Sequence, residues 1–285
     1  MKTLDGATFL LQWASGGLLF LWVTTRHRTV GLGYGWLLRG TYLVFAILSL
    51  LVGGLVIDRV LVRELASAGV VLSSGFALVS SIRRRKAGVS GQESLAEDRS
   101  ARVATMTGIE RQATAKSEGV PEFDPRLDLV APVLGFVGVV GVGLSQGDPA
   151  WLAVARLVVG AAFLGAITDA MLLGHWYLVQ PGLPRAPIFE LVRWSGWLTV
   201  PEVALMLVPT GMVSALNGSI DDGYGGLLSW FWLACAVTTM GLVVITRLAL
   251  KERAYSAVMA ATGLLYLAIL TAFGTDLVAR ALLSA

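Results

Sequence analysis

Residues 151–179 read WLAVARLVVGAAFLGAITDAMLLGHWYLV. Only Arg156 and Asp169 carry a full charge in this run, and His175 stands near its end. A helix crosses the hydrocarbon of a bilayer with roughly 20 mainly apolar residues, so this stretch reads as a transmembrane helix with length to spare. It shows no two-residue alternation, which a membrane-spanning strand requires. Working outward gives seven further runs of the same kind, at 7–23, 40–57, 65–82, 129–146, 187–214, 227–246 and 254–283. The expected fold is all-α, a polytopic integral membrane protein with eight transmembrane helices.

Composition supports this. Of 285 residues, 55% are hydrophobic and 14% charged, and mean hydropathy is +0.73, where an average soluble domain is roughly a quarter charged. A net charge of +3 reads as loop bias rather than as a nucleic-acid surface, so no nucleic-acid partner is expected. The single cysteine, Cys235, sits in an apolar run and reads as a small buried thiol.

Residues 83–127 form the one long hydrophilic segment, with nine cations and seven anions. The chain therefore divides into helices 1–3 (1–82), a polar linker (83–127) expected to be helical around 92–116, and helices 4–8 (128–285). Three cations in 24–39, one in 181–187 and three in 247–253 fall on the same side as that linker, against Lys2, Arg59, Arg63 and Arg280 on the other. The positive-inside rule then places the linker in the cytoplasm, both termini on the non-cytoplasmic side and the protein in a cell membrane. The first run has its arginines after the apolar stretch and reads as a retained helix rather than a cleaved signal. The glycines Gly135, Gly138 and Gly141 form a stripe suited to close helix packing, while Gly31–Gly35 (GLGYG) reads as a flexible turn. A weak similarity relates Thr25, Arg26, Tyr34 and Thr41 to Thr246, Arg247, Tyr255 and Thr262.

Ionisable groups inside a membrane are costly and mark a function or a partner. They concentrate on the fifth and sixth runs, which the short connection at 181–187 joins as an antiparallel hairpin. Counting at 1.5 Å per residue from that turn brings His175, Glu190 and Arg193 to similar depths near the inner interface, with Asp169 about 9 Å deeper. Quinone carbonyls need hydrogen-bond donors, an apolar slot and a proton route. Asp169 and His175 are the candidate catalytic pair for quinol chemistry, and Trp176, Tyr177, Glu190, Arg193 and Trp194 the candidate ligand-binding set. Quinone is the cofactor expected on this reading, with redox subunits as partners; a homo-oligomer is the other expected assembly. With eight spans in 285 residues, few histidines and both ends outside, the chain resembles, in architecture, the haem-free quinol anchors of polysulfide- and dimethyl-sulfoxide-reductase-type enzymes.

Two other readings compete with this one. In a proton- or ion-coupled transporter, Asp169, Arg156 and Glu202 would form the ion pathway beside Pro201, which interrupts helix hydrogen bonding. A structural or assembly subunit without a site would have its membrane charges satisfied by neighbouring chains; within this chain, Asp276 and Arg280 at i, i+4 read as a structural pair. A lipid-modifying enzyme is disfavoured for want of a nucleophile–base pair. Only His27 and His175 are present, too few for two bis-histidine haems, and the sequence carries no haem, metal or nucleotide motif.

Overall fold

The computed structural model describes residues 5–56, 59–107, 121–146, 148–180 and 182–284. Among the described residues there are helices and no strand. These are α1 (Gly6–Thr25), α2 (Leu32–Leu55), α3 (Leu61–Arg83), α4 (Ser90–Thr107), α5 (Val130–Gln146), α6 (Ala150–Val179), α7 (Ala186–Leu207), the short α8 (Gly211–Leu216), α9 (Leu227–Lys251) and α10 (Tyr255–Ser284). Single 3-10 turns lie at Arg85–Ala87 and Pro125–Leu129.

Seven helical segments among the described residues are long and apolar enough to cross a membrane: Gly6–Thr25, Leu32–Leu55, Leu61–Arg83, Pro125–Ser145, Ala150–Val179, Leu227–Lys251 and Tyr255–Leu283. Such a set fits a lipid bilayer. The sixth expected span is helical as α7, with 22 residues, enough for about 33 Å, but Glu190, Arg193 and Glu202 dilute its apolar character. It also stops at Leu207, short of the expected 214. Val208 is extended (ψ 144°), the conformation forced on a residue before proline, here Pro209. At the other end of the chain's first hairpin, Gly31 caps α2 and the helix starts at Leu32. The stretch expected as a flexible turn is thus the first turn of a helix. The expected linker helix appears as α4, and the rest of 92–116 lies outside the described residues.

α1 is the centre of the bundle, with 67% of its membrane window buried. It packs on α2, α5 and α6, while α6 also carries α7 and α10 on its flanks. Small residues permit this. A Cβ on Gly16 would stand 1.7 Å from the Ala161 carbonyl oxygen, and one on Gly165 would stand 2.2 Å from the Gly16 carbonyl carbon, so α1 and α6 touch main chain to main chain. The α5 stripe behaves the same way: Gly135 faces Ser15 of α1, while Gly138 and Gly141 face Ala66 and Val62 of α3. Cys235 is buried against Gly274.

Two loops are fixed by single side chains. Arg185, in the α6–α7 turn, donates to the carbonyls of Leu250 (3.2 Å), Glu252, Arg253 (2.8 Å) and Ala254 (2.9 Å), tying that turn to the α9–α10 turn. Leu250 and Glu252 stand at the end of α9, where helix carbonyls run out of partners, and Arg253 and Ala254 lie in the turn that leads into α10. Before α9, the Asp222 carboxylate accepts from the backbone N–H groups of Tyr224 (2.9 Å), Gly226 (2.8 Å), Leu228 (2.9 Å) and Ser229 (3.2 Å). These donors, Gly226 first, hold its carboxyl below the usual carboxylate range. A depressed folded-state value contributes stability above the unfolded carboxylate value, and that contribution is lost as pH falls through the folded value. Asp222→Ala is therefore expected to melt below the unaltered protein at neutral pH. The gap should close on acidification, and a gap independent of pH would contradict the capping role.

Candidate functional site

The polar interior holds two separate groupings on α6, and neither is the hairpin cluster expected from the sequence. The first surrounds Asp169 near the middle of the bundle. Asp169 is fully buried. Its Oδ1 accepts a hydrogen bond from the Tyr42 hydroxyl of α2, and its backbone carbonyl accepts one from the Tyr34 hydroxyl at 3.3 Å. Its Oδ2 meets no donor among the described residues. The neighbouring Thr168 turns instead to α1, accepting from the Trp13 indole N–H at 2.9 Å. Tyr42 reaches Asp169 because Gly17 of α1 leaves room: a Cβ there would fall 1.9 Å from the Tyr42 ring.

The second grouping lies at the opposite end of α6, where α1 and α6 begin and α7 and α10 end. Glu202 and Asp276 are both fully buried. Glu202 faces Asp276, Arg280 and Arg156. Arg280 pairs with Asp276 Oδ1 at 2.8 Å and donates to the Arg156 carbonyl at 3.0 Å. The Gln12 amide oxygen, in the orientation that satisfies both neighbours, accepts from Arg280 (3.1 Å) and from the Ala161 N–H (3.2 Å). Arg156 is spent on main chain, donating to the carbonyls of Leu205 (3.0 Å) and Val208 (2.5 Å), where α7 runs out of partners. Among the described residues, neither oxygen of Glu202 receives a hydrogen bond, nor does Oδ2 of Asp276.

Space and cover for this grouping come from small and apolar residues. A Cβ on Gly160 would stand 2.5 Å from an Arg280 nitrogen and 2.8 Å from Asp276 Oδ1, so a side chain there would displace the ion pair. Met206, Met212, Ala215, Trp232, Ala279 and Leu282 form an apolar cluster beside it, with α8 supplying Met212 and Ala215. The Trp232 indole N–H donates to the Thr275 carbonyl at 2.9 Å, which fixes that wall.

The expected quinone-site residues are dispersed. His175 is exposed and its Nδ1 lies 3.2 Å from the Tyr266 hydroxyl of α10. Trp176 packs on Tyr34 at 6.1 Å and bonds Gln180. Tyr177 is buried, donating to the Pro184 carbonyl. Glu190 does not pair with Arg193 but with Arg26, with His27 at 3.4 Å. Arg193 is exposed, and Trp194, 41% exposed, meets Phe20 edge-on at 6.1 Å. The helix rotations explain this: Asp169 points to α2, Thr168 to α1 and His175 to α10. Of the alternative set, Glu202 and Arg156 do come together, joined by Asp276 and Arg280.

Sequence reasoning missed one more buried pair. Arg39 and Asp128 are 1% and 3% exposed and form a two-pronged ion pair at 2.7 and 2.8 Å. Thr25 donates to Asp128 at 3.1 Å, Ser81 accepts from Arg39 at 3.3 Å, and the guanidinium lies 4.5 Å from the Phe123 ring centre. Arg39 had been counted among loop cations because α2 was expected to begin after it. Two opposite charges at the edges of apolar runs, Arg39 and Asp128, were the signal available. No family model, curated protein or solved structure matches this chain.

Proposed function

We propose that this protein is a proton-coupled carrier of a cell membrane, with the Glu202–Asp276 pair as its proton-binding site. One observation carries the reading: two fully buried carboxyl groups lie within electrostatic reach of each other, and three of their four oxygens have no donor among the described residues. An ionised carboxylate without hydrogen bonds is costly to bury, and a proton held between the two groups supplies the missing donor. Such a pair adds little to stability, and acids inside a membrane are the usual material of proton relays. Arg280 and Arg156 compensate the charge when the proton leaves. Asp169, about 20 Å further along α6 from Arg156, offers a second carboxyl on the way to the other face. On this reading α7 also crosses, as the sixth of eight spans and antiparallel to α6, both termini are outside, and segment 83–127 is cytoplasmic.

The test needs no knowledge of the transported solute. Proteoliposomes on a solid support are exposed to a pH jump, and the transient charge displacement is recorded. The current is expected to vanish in Glu202→Gln and to persist in His175→Ala. Infrared spectra of the same samples should lose a protonated-carboxyl band in Glu202→Gln. An unchanged current and an unchanged band in that variant would overturn the proposal.

A further inference from the structure

α3 ends in Arg83, and Arg84, Arg85 and Lys86 follow it directly. Below these cations, Gly75, Phe76, Val79, Ser80, Arg83 and Arg84 line a groove of about 470 Å³. Gly75, Val79 and Arg83 form one i, i+4 row of α3, Phe76 and Ser80 the adjoining row, and Arg84 caps the helix end as this strip's last member. The strip faces away from the bundle, with Phe76 65% and Val79 49% exposed. Gly75 opens its lower end, since nothing lies within 4 Å of where a Cβ would sit.

Both the dimensions and the charge of the groove point to one class of occupant. From Gly75 to Arg84 the helix rises roughly 13 Å, close to the depth of one leaflet's hydrocarbon, about 15 Å. The walls over that depth are apolar apart from Ser80, and two guanidinium groups stand at the mouth. Arg84 donates to the Glu122 backbone carbonyl at 3.3 Å, a neutral acceptor that leaves its charge uncompensated. Among the described residues no carboxylate pairs with Arg83 or Arg84. A soluble polyanion would use the cations and leave the apolar strip bare. A neutral lipid would use the strip and leave the cations unpaired.

We propose that this groove is a binding site for an anionic phospholipid. Its phosphate sits between Arg83 and Arg84, and one acyl chain lies along Gly75, Phe76 and Val79. The site is independent of the proton-binding pair and stands or falls separately from it.

Purified full-length protein in mild detergent is titrated with dioleoyl phosphatidylglycerol, dioleoyl phosphatidylcholine or glycerol phosphate. Bound lipid is read by native mass spectrometry and by the shift in melting temperature. Phosphatidylglycerol is expected to remain bound at one per chain and to raise the melting temperature, while the other two do neither. Arg83→Gln with Arg84→Gln should weaken its binding roughly thirtyfold, taking about a fivefold loss for each interfacial cation. Gly75→Leu keeps both arginines and fills open space, so it should fold normally and still weaken binding. The proposal is overturned if phosphatidylcholine or glycerol phosphate binds as well as phosphatidylglycerol, or if Gly75→Leu binds like the unaltered protein.

Discussion

Gly16→Ala is expected to cost this protein about 3 kcal/mol or more, at the upper end of what overpacking does in protein cores. The added methyl would lie 1.7 Å from the Ala161 carbonyl oxygen. Gly165→Ala meets the same obstacle from the other helix, 2.2 Å from the Gly16 carbonyl carbon. Overpacked side chains usually relax by changing rotamer. Here the obstacle is main chain on both helices, so relief requires α1 and α6 to move apart along their whole contact. The control is Gly40→Ala in α2, where nothing lies within 4 Å. There the substitution removes only the helix penalty of glycine and should stabilise by about 0.5–1 kcal/mol. Melting temperatures in detergent, with size-exclusion profiles, decide the matter. Equal melting of Gly16→Ala and the unaltered protein would show that the helices do not touch as described.

Arg39→Ala and Asp128→Ala are each expected to destabilise by about 3–5 kcal/mol, because each leaves the other charge buried without its partner. Arg39 would retain only Ser81 and the Phe123 ring; Asp128 would retain only the Thr25 hydroxyl. The pair joins α1, α2, α3 and the turn that leads into α5, so the loss should appear as a global fall in melting temperature. Replacing both together, Arg39→Met with Asp128→Leu, removes the uncompensated charge and should recover most of the loss. If the double variant falls as far as the sum of the single ones, the two residues are not coupled and the ion pair does not hold these helices together.

Most helix positions were legible in the sequence, and runs such as 227–246 and 254–283 are indeed helices long and apolar enough to cross a membrane. Helix ends were less so. α2 begins at Leu32 because two glycines and a tyrosine can pack where a flexible turn was expected, and α7 ends at Leu207 because Pro209 dictates the backbone before it. The order of the polar residues along their helices is readable from spacing; their partners are not. His175, Glu190 and Arg193 do lie on adjoining turns of a hairpin, yet each turns toward a different element: Tyr266, Arg26 and the surface. Rotation of a helix about its axis is set by all its neighbours at once, and residue spacing within one hairpin does not contain it. The Glu202 environment was partly anticipated through Arg156. Asp276 and Arg280 had been read as a self-sufficient pair, and the pairing at i, i+4 is present. What spacing could not reveal is that Glu202, from a helix distant in sequence, faces the same pair.

Two peptide backbones pressed together cannot glide lengthwise without first lifting off one another. The Gly16–Gly165 crossing therefore acts as a keel: α1 and α6 keep their mutual pose whatever the rest of the bundle does. The α9–α10 hairpin meets α6 through side chains: the four carbonyls gathered on Arg185 hold one end, and the Arg280 bond to the Arg156 carbonyl holds the other. Since α10 carries Asp276 and Arg280 while α6 carries Arg156, a swing of that hairpin about its Arg185 end would separate the two arginines, leaving the crossing at Gly16 undisturbed.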